Sequence, residues 1–194
     1  KSPPHSAGQS YTLTFPQTAP SSGKFIQTDG SGNLSFASAG ISMVDIYKLS
    51  STINPTASNT STTITNFAQY TTSPIANIGT NMTHSSGTFS FPSTGLYEIQ
   101  AFLHFHELSN NYQYVQVEIQ TTTNNSSYTL LAKAVTTNTG NAGGDTKTSV
   151  YTSTVLDITD ISNQKVKINY LSSATAILNG DEGSQVIFKR LGDT

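Results

Sequence analysis

The fold of this 194-residue chain is decided by the stretch GTFSFPSTGLYEIQAFLHF, Gly87–Phe105. The stretch is rich in aromatic and aliphatic residues of the kind that favour strands. Proline and glycine interrupt it at Pro92 and Gly95, and these residues commonly mark the turn between two strands. The stretch therefore predicts a short strand at Gly87–Phe91, followed by a long strand at Gly95–His106.

The sequence on both sides of this stretch shows the same strand character. In YVQVEIQ, Tyr114–Gln120, the apolar residues Val115, Val117 and Ile119 fall on one face of a strand. No segment sustains a helical period over ten residues, so we expect an all-β sandwich or jelly roll of roughly eight to ten strands. The further predicted strands are Ser42–Leu49, Thr62–Phe67, Tyr112–Gln120, Tyr128–Val135, Ser149–Ile158, Lys165–Leu171 and Ser184–Leu191.

Composition excludes several classes of function. Charged residues make up 10% of the chain, 9 basic and 11 acidic, against about 25% in an average soluble domain. So few basic residues exclude a nucleic-acid-binding groove, because such a groove needs clustered Lys and Arg side chains. The 30 threonines and 27 serines supply the polar surface instead. Cysteine is absent, so the chain forms no disulfide and no thiolate metal site. The sequence contains no run of about 18 apolar residues, so it predicts no insertion into a membrane.

The first forty residues differ from the rest of the chain. The alternation in SYTLTFP, Ser10–Pro16, is typical of a strand with one wet face. The residues from Asp29 to Asn33 are typical of a tight turn. Apolar residues flank this turn and predict a short hairpin; they are Phe25-Ile26 before it and Leu34 with Phe36 after it. Because an isolated hairpin is marginally stable at best, we expect residues 1–40 to form a segment that needs neighbours, and residues 41–194 to form the head.

The head resembles the C1q/TNF-like jelly-roll family. That family has a strand ending in Phe-x-x-Pro and a Gly-x-Tyr that opens a long central strand, and the matching positions here lie between Phe89 and Tyr97. The segment Ser149–Leu171 is similar to the two strands and short turn that follow in the family, and Gly183–Asp193 is similar to its closing strand. The resemblance implies a jelly-roll sandwich that assembles as a homotrimer.

The segment Ser10–Ser38 resembles short modules of phage tail fibres and other virion fibre proteins, which join a shaft to a globular tip. The two resemblances together imply a non-enzymatic, trimeric virion fibre or capsid-surface protein, located on the virion surface or extracellularly. Its head would contribute to host attachment by binding a glycan or protein receptor, and its N-terminus would contact other virion or surface-fibre proteins. The alternative is a bacterial trimeric surface adhesin with the same head.

Three residues are candidates for the trimer axis. His104 and His106 are two apart on the long predicted strand, so they share a face, whereas Phe105 between them points into the sandwich. Tyr151 lies on a second strand that the resemblance places near the axis. The two imidazoles are also the best metal candidates, but two ligands fall short of the usual three or four.

Polar loops offer the candidate receptor or glycan contacts, because asparagine amides and flat tyrosine rings suit neutral glycans. The loop candidates are Asn110, Asn111, Tyr112, Asn124, Asn125 and Tyr128. We expect no cofactor; the alternative is calcium bound by the acidic pair Asp181 and Glu182, whose oxygens are hard ligands. A polysaccharide-degrading tip is a further alternative, but the sparse acidic residues show no paired-carboxylate spacing, and no Gly-x-Ser-x-Gly motif occurs.

Overall fold

The computed structural model describes residues 12–21, 24–38, 40–54, 59–75, 77–107, 114–137, 146–173, 176–180 and 183–193. The chain divides into two compact units, Lys1–Gly40 and Ile41–Thr194. The described residues form strands joined by turns and loops. Within these ranges no helix has the length and hydropathy needed to cross a membrane.

The first unit is built around the predicted hairpin. Strands β1 (Lys24–Thr28) and β2 (Leu34–Ser38) pair antiparallel, and Ile26 lies opposite Phe36. The strand predicted at Ser10–Pro16 is reduced, in its described part, to one parallel bridge between Thr14 and Asn33. No residue of this unit whose exposure is described is buried. The unit therefore has no core of its own within the described residues.

The second unit is a sandwich of two antiparallel sheets. Sheet A has the strand order β11-β8-β14-β3-β5, with β13 paired to β8, and sheet B has the order β10-β9-β12-β7-β6, with β4 paired to β12. The strands are β3 (Met43–Leu49), β4 (Thr62–Thr63), β5 (Phe67–Gln69), β6 (Thr83–Ser85), β7 (Thr88–Ser90), β8 (Gly95–Glu107), β9 (Tyr114–Thr122), β10 (Thr129–Thr137), β11 (Thr146–Ile158), β12 (Lys165–Ser172), β13 (Ile177–Leu178) and β14 (Gln185–Gly192).

The chain repeatedly crosses from one sheet to the other, which is the connectivity of a jelly roll. Alternate residues of each long strand fill the space between the sheets; Val115, Val117 and Ile119 of β9 are fully buried, as their spacing predicts. Aromatic rings form the centre of this core, and the ring centroids of Phe89 and Phe188 lie 4.8 Å apart. Such pairs add about 0.5–1.5 kcal/mol beyond the area they bury.

The strand predicted at Thr62–Phe67 is wrong in one respect, because the chain changes sheets within it. The backbone N–H of Ile64 donates to Ile168 of sheet B at 2.9 Å, whereas the carbonyl of Asn66 accepts from Ser50, next to sheet A, at 2.9 Å. Ile64 is fully buried at this crossing. The alternation of apolar residues continues through the crossing, so periodicity alone did not reveal it.

A buried carboxylate stands in the otherwise apolar inner face of β3. Asp45 is fully buried and accepts hydrogen bonds from Gln69 Nε2 and the backbone N–H of Met82, each at 2.7 Å. Burial raises the pKa of the Asp45 carboxyl and also the pKa of the neighbouring Tyr47 hydroxyl. Burial lowers the pKa of His84, whose ring packs 6.0 Å from that of Tyr47. This polar group ties β3 to β5 and to the chain before β6.

Candidate functional site

The outward face of sheet A carries an apolar patch that the single chain leaves open. In β8 the odd-numbered residues from Tyr97 to Phe105 are fully buried, so the even-numbered residues between them face outward. One of these is Phe102, which is 39% exposed. Its register partner on β11 is Tyr151, which is 49% exposed. Two large aromatic side chains therefore stand side by side on the outer face of the sheet.

Three adjacent strands shape this patch into a shallow depression. Gln185 of β14 lies opposite Phe102 of β8, and Ile187 lies opposite Gln100. These four side chains and the side chain of Tyr151 line a depression of about 340 Å³. We call these five residues the sheet A depression. Leu96 and Val155 extend the apolar surface beyond it, and Val155 is 56% exposed.

A polar group borders the depression. Lys189 Nζ lies 3.1 Å from Glu98 Oε2, and Gln100 Nε2 donates to Glu98 Oε1 at 2.8 Å. The hydrogen bond from Gln100, followed by that from Lys189, lowers the pKa of Glu98. Because this pair is solvated, it contributes at most about 1 kcal/mol to stability. Its position beside an apolar surface suits a rim that fixes the register of a partner.

His104 and His106 lie on the same outward face of β8 as Phe102, and Phe105 points into the core as predicted. His104 is opposite Ser149 of β11, and His106 is opposite Lys147. The backbone of His104 is held by Ser184 Oγ, which accepts its N–H at 3.0 Å. Within the described ranges, no group of three or more histidine, aspartate or glutamate side chains is placed to hold a metal ion. The structure thus brings His104, His106 and Tyr151 onto one face.

The loop between β9 and β10 holds three of the predicted glycan contacts. Asn124 Oδ1 accepts hydrogen bonds from its own loop, including one from the backbone N–H of Ser127 at 2.9 Å. Asn125 has a φ of 55° and donates its backbone N–H to Asn163 at 3.1 Å. The ring of Tyr128 lies under Lys167 Nζ, 4.0 Å from the ring centroid. Asn124 is thus engaged in holding the loop, while Tyr128 is partly covered.

The other predicted contacts lie outside the described residues. These are the loop candidates Asn110, Asn111 and Tyr112 and the calcium candidates Asp181 and Glu182.

Sequence reasoning missed Phe102 and Ile187, although a signal for both was present. Each is an apolar residue in the outward register of a strand whose inward positions are already apolar. Such a residue is redundant for the core, and clusters of exposed apolar residues are typical of interaction surfaces.

A second apolar surface lies along β10, at the open edge of sheet B. Leu130 and Val135 are 48% and 49% exposed, and Leu131 sits at an irregularity in the pairing of β10 with β9. Strand β10 also packs against β11, the edge strand of sheet A. The head therefore presents two different apolar surfaces, one on the face of sheet A and one along an edge.

The comparison with solved structures supports the fold. Eiger TNF from S. frugiperda superposes with a TM-score of 0.59 at 12% sequence identity, covering 80% of this chain and 96% of that one. Murine APRIL at pH 8.0 superposes with a TM-score of 0.56 at 13% identity, covering 77% of this chain and 98% of that one. No family model and no curated protein matches the sequence. The head is thus a C1q/TNF-like jelly roll, as predicted, and at these identities the likeness extends to the fold alone.

Proposed function

We propose that this chain is a non-enzymatic, homotrimeric fibre or capsid-surface protein of a virion whose jelly-roll head contributes to host attachment. The observation that carries the proposal is the sheet A depression, where Phe102 and Tyr151 stand half-exposed on one face. Monomeric proteins rarely expose clustered large apolar side chains without a partner. A second copy of the chain is the occupant that best suits this surface.

The two apolar surfaces of the head favour a ring over a two-fold dimer. A two-fold contact uses the same patch on both subunits, whereas a head-to-tail contact joins two different patches and forms a ring when the rotation between subunits closes. The face of sheet A and the edge formed by β10 and β11 are two such patches. In a trimer each subunit would place its edge on the sheet A depression of the next.

Charge and composition agree with this assembly. Permanent interfaces are apolar at their centre and depleted in charged residues. Only 10% of this chain is charged, and the pair Glu98 and Lys189 stands at the border of the depression. His104 and His106, on the same face, would then lie toward the axis.

The hairpin unit supports the fibre part of the proposal. Phe25 and Ile26 are 47% and 51% exposed, and Phe15 is 65% exposed. A two-stranded ribbon with its apolar residues in water does not hold its structure alone. Three copies of the unit associated around a common axis would cover these side chains and form the start of a shaft.

The attachment role rests on the trimer. Three identical heads on one tip raise affinity through effective concentration, so each single site need bind only weakly. Two of the acidic side chains that can be placed serve structural contacts: Glu98 holds Lys189, and Asp160 accepts hydrogen bonds from the turn at Ser162 and Asn163. These engagements favour a binding role over a hydrolytic one.

The experiment is binding of the full chain to glycan arrays and to candidate host cells, in parallel with its mass by light scattering. We expect a trimer that binds without releasing product from the glycan. A monomer at micromolar concentration would overturn the assembly, and release of shortened glycan would overturn the non-enzymatic role. A trimer that binds no cell or glycan would overturn attachment alone.

A further inference from the structure

The outward face of sheet B carries three polar side chains that are almost completely withdrawn from water. Glu118 and Gln116 lie on β9 between the inward residues Val115, Val117 and Ile119, so they face away from the core. They are nevertheless only 7% and 8% exposed. Asn169, the register partner of Glu118 on β12, is 5% exposed.

These side chains are joined by hydrogen bonds centred on the Glu118 carboxylate. Ser61 Oγ donates to Glu118 Oε2 at 2.5 Å, and Gln120 Nε2 donates to the same oxygen at 2.9 Å. Gln116 Nε2 donates to Glu118 Oε1. Ser61 Oγ also accepts from Asn169 Nδ2 at 2.9 Å and from Gln120 Nε2 at 3.4 Å. We call these five residues the Glu118 cluster.

Two features of the cluster are costly for a purely structural network. Among the described residues no cation pairs with Glu118, although Lys133 is its register neighbour on β10. A carboxylate withdrawn from water is normally paired or bound to a metal. In addition, Asn169 Oδ1 is buried without any hydrogen-bond partner. A buried acceptor left without a partner costs about 1–3 kcal/mol.

We propose that the Glu118 cluster binds a calcium ion. The Glu118 carboxylate, the Ser61 hydroxyl and Asn169 Oδ1 are hard oxygen donors of the kind that calcium prefers. Rotation of the terminal amides of Gln116 and Gln120 would exchange their nitrogens for oxygens and complete a flexible oxygen shell. The bound ion would neutralise the carboxylate and give Asn169 Oδ1 its missing partner.

The surroundings define how the ion enters and how tightly it binds. Ser61 is exposed and Gln120 partly exposed, so the cluster opens to solvent on their side. One carboxylate among neutral oxygens corresponds to the weak end of protein calcium sites, with a Kd of about 10⁻⁴–10⁻³ M. Magnesium should bind less well, because it requires a compact octahedron and loses its water reluctantly.

The test is thermal unfolding and titration calorimetry of the full chain, stripped with EGTA, with calcium chloride as the only added ligand. We expect calcium at tenfold excess over Kd to raise Tm by about 3–6 °C. Glu118→Gln should remove the increase. Asp160→Asn, at an exposed carboxylate in the turn between β11 and β12, should keep it. Asn169→Asp adds a second carboxylate beside Glu118 and should tighten calcium binding at least about tenfold.

The outcomes separate the proposal from a structural network. An unchanged Tm in the wild-type chain up to about 10 mM calcium, above the range of such sites, would overturn it. So would a calcium-dependent increase that survives Glu118→Gln. If Glu118→Gln fails to fold, Ser61→Ala decides, because it removes one exposed ligand and should weaken calcium binding, whereas calcium held elsewhere would bind this variant as tightly as the wild type.

Discussion

Tyr151→Ser should dissociate the proposed trimer while leaving the head folded. Tyr151 is 49% exposed in the single chain, so an interface has about 100 Å² of its side chain left to cover. At about 25 cal/mol per Å², that area contributes about 2.5 kcal/mol per subunit. Three subunits lose about 7.5 kcal/mol, which raises the trimer dissociation constant by about 10⁵–10⁶.

The assay is sedimentation equilibrium over a range of concentrations, with far-ultraviolet circular dichroism to confirm folding. Serine is compatible with the strand, since Ser149 and Ser153 occupy the same outward register of β11. The matched control is Ile161→Ser, at a 40% exposed residue in the turn after β11, which should leave the mass unchanged. A Tyr151→Ser variant as strongly associated as the wild type would refute the assignment of this face to the interface.

Three further predictions concern the stability of the head. Asp45→Ala should lower the free energy of unfolding by about 1–3 kcal/mol, because it leaves Gln69 Nε2 and the Met82 N–H without their acceptor. Urea titration measures this change, and an unchanged free energy of unfolding would show that Asp45 is dispensable. Burial lowers the pKa of His84, so the contribution of the neutral His84 side chain to stability is present above about pH 6.5 and is lost as pH falls through the pKa of His84 in the folded state. Urea titrations from pH 7.5 to 5 should show this loss, and His84→Gln should remove the part of the loss that is due to His84. Gly95 has a φ of 137°, and a Cβ there would lie 2.5 Å from the Gly192 carbonyl oxygen, so Gly95→Ala should lower Tm by several degrees. The control is Gly30→Ala, which carries only the cost of its positive φ because nothing lies within 4 Å of its Cβ.

The sequence was sufficient for the sheet architecture because most strands bury one face. Strand β9 alternates so regularly that its inward residues could be assigned by counting, and all three are fully buried. The hairpin β1–β2 was predicted from its turn residues for a similar reason, since few residues other than glycine and asparagine accept a positive φ cheaply. Strands β6 and β13 were missed because three and two residues are too short to show a period.

The polar interior could not be predicted, because its stability depends on partners distant in the chain. Asp45 is satisfied by a backbone N–H 37 residues away, and Asn169 reaches a serine 108 residues away. A local pattern places such residues on a face but does not show what lies opposite. Of the axis candidates, Tyr151 was placed beside Phe102 only by the register of β11 on β8.

The mass of the full wild-type chain in solution tests the central claim most directly. One chain has a mass of 20.6 kDa, so light scattering at micromolar concentration should give about 62 kDa, three times that value. A mass near 20.6 kDa would contradict the account, because Phe102 and Tyr151 would then remain open to water in the native protein.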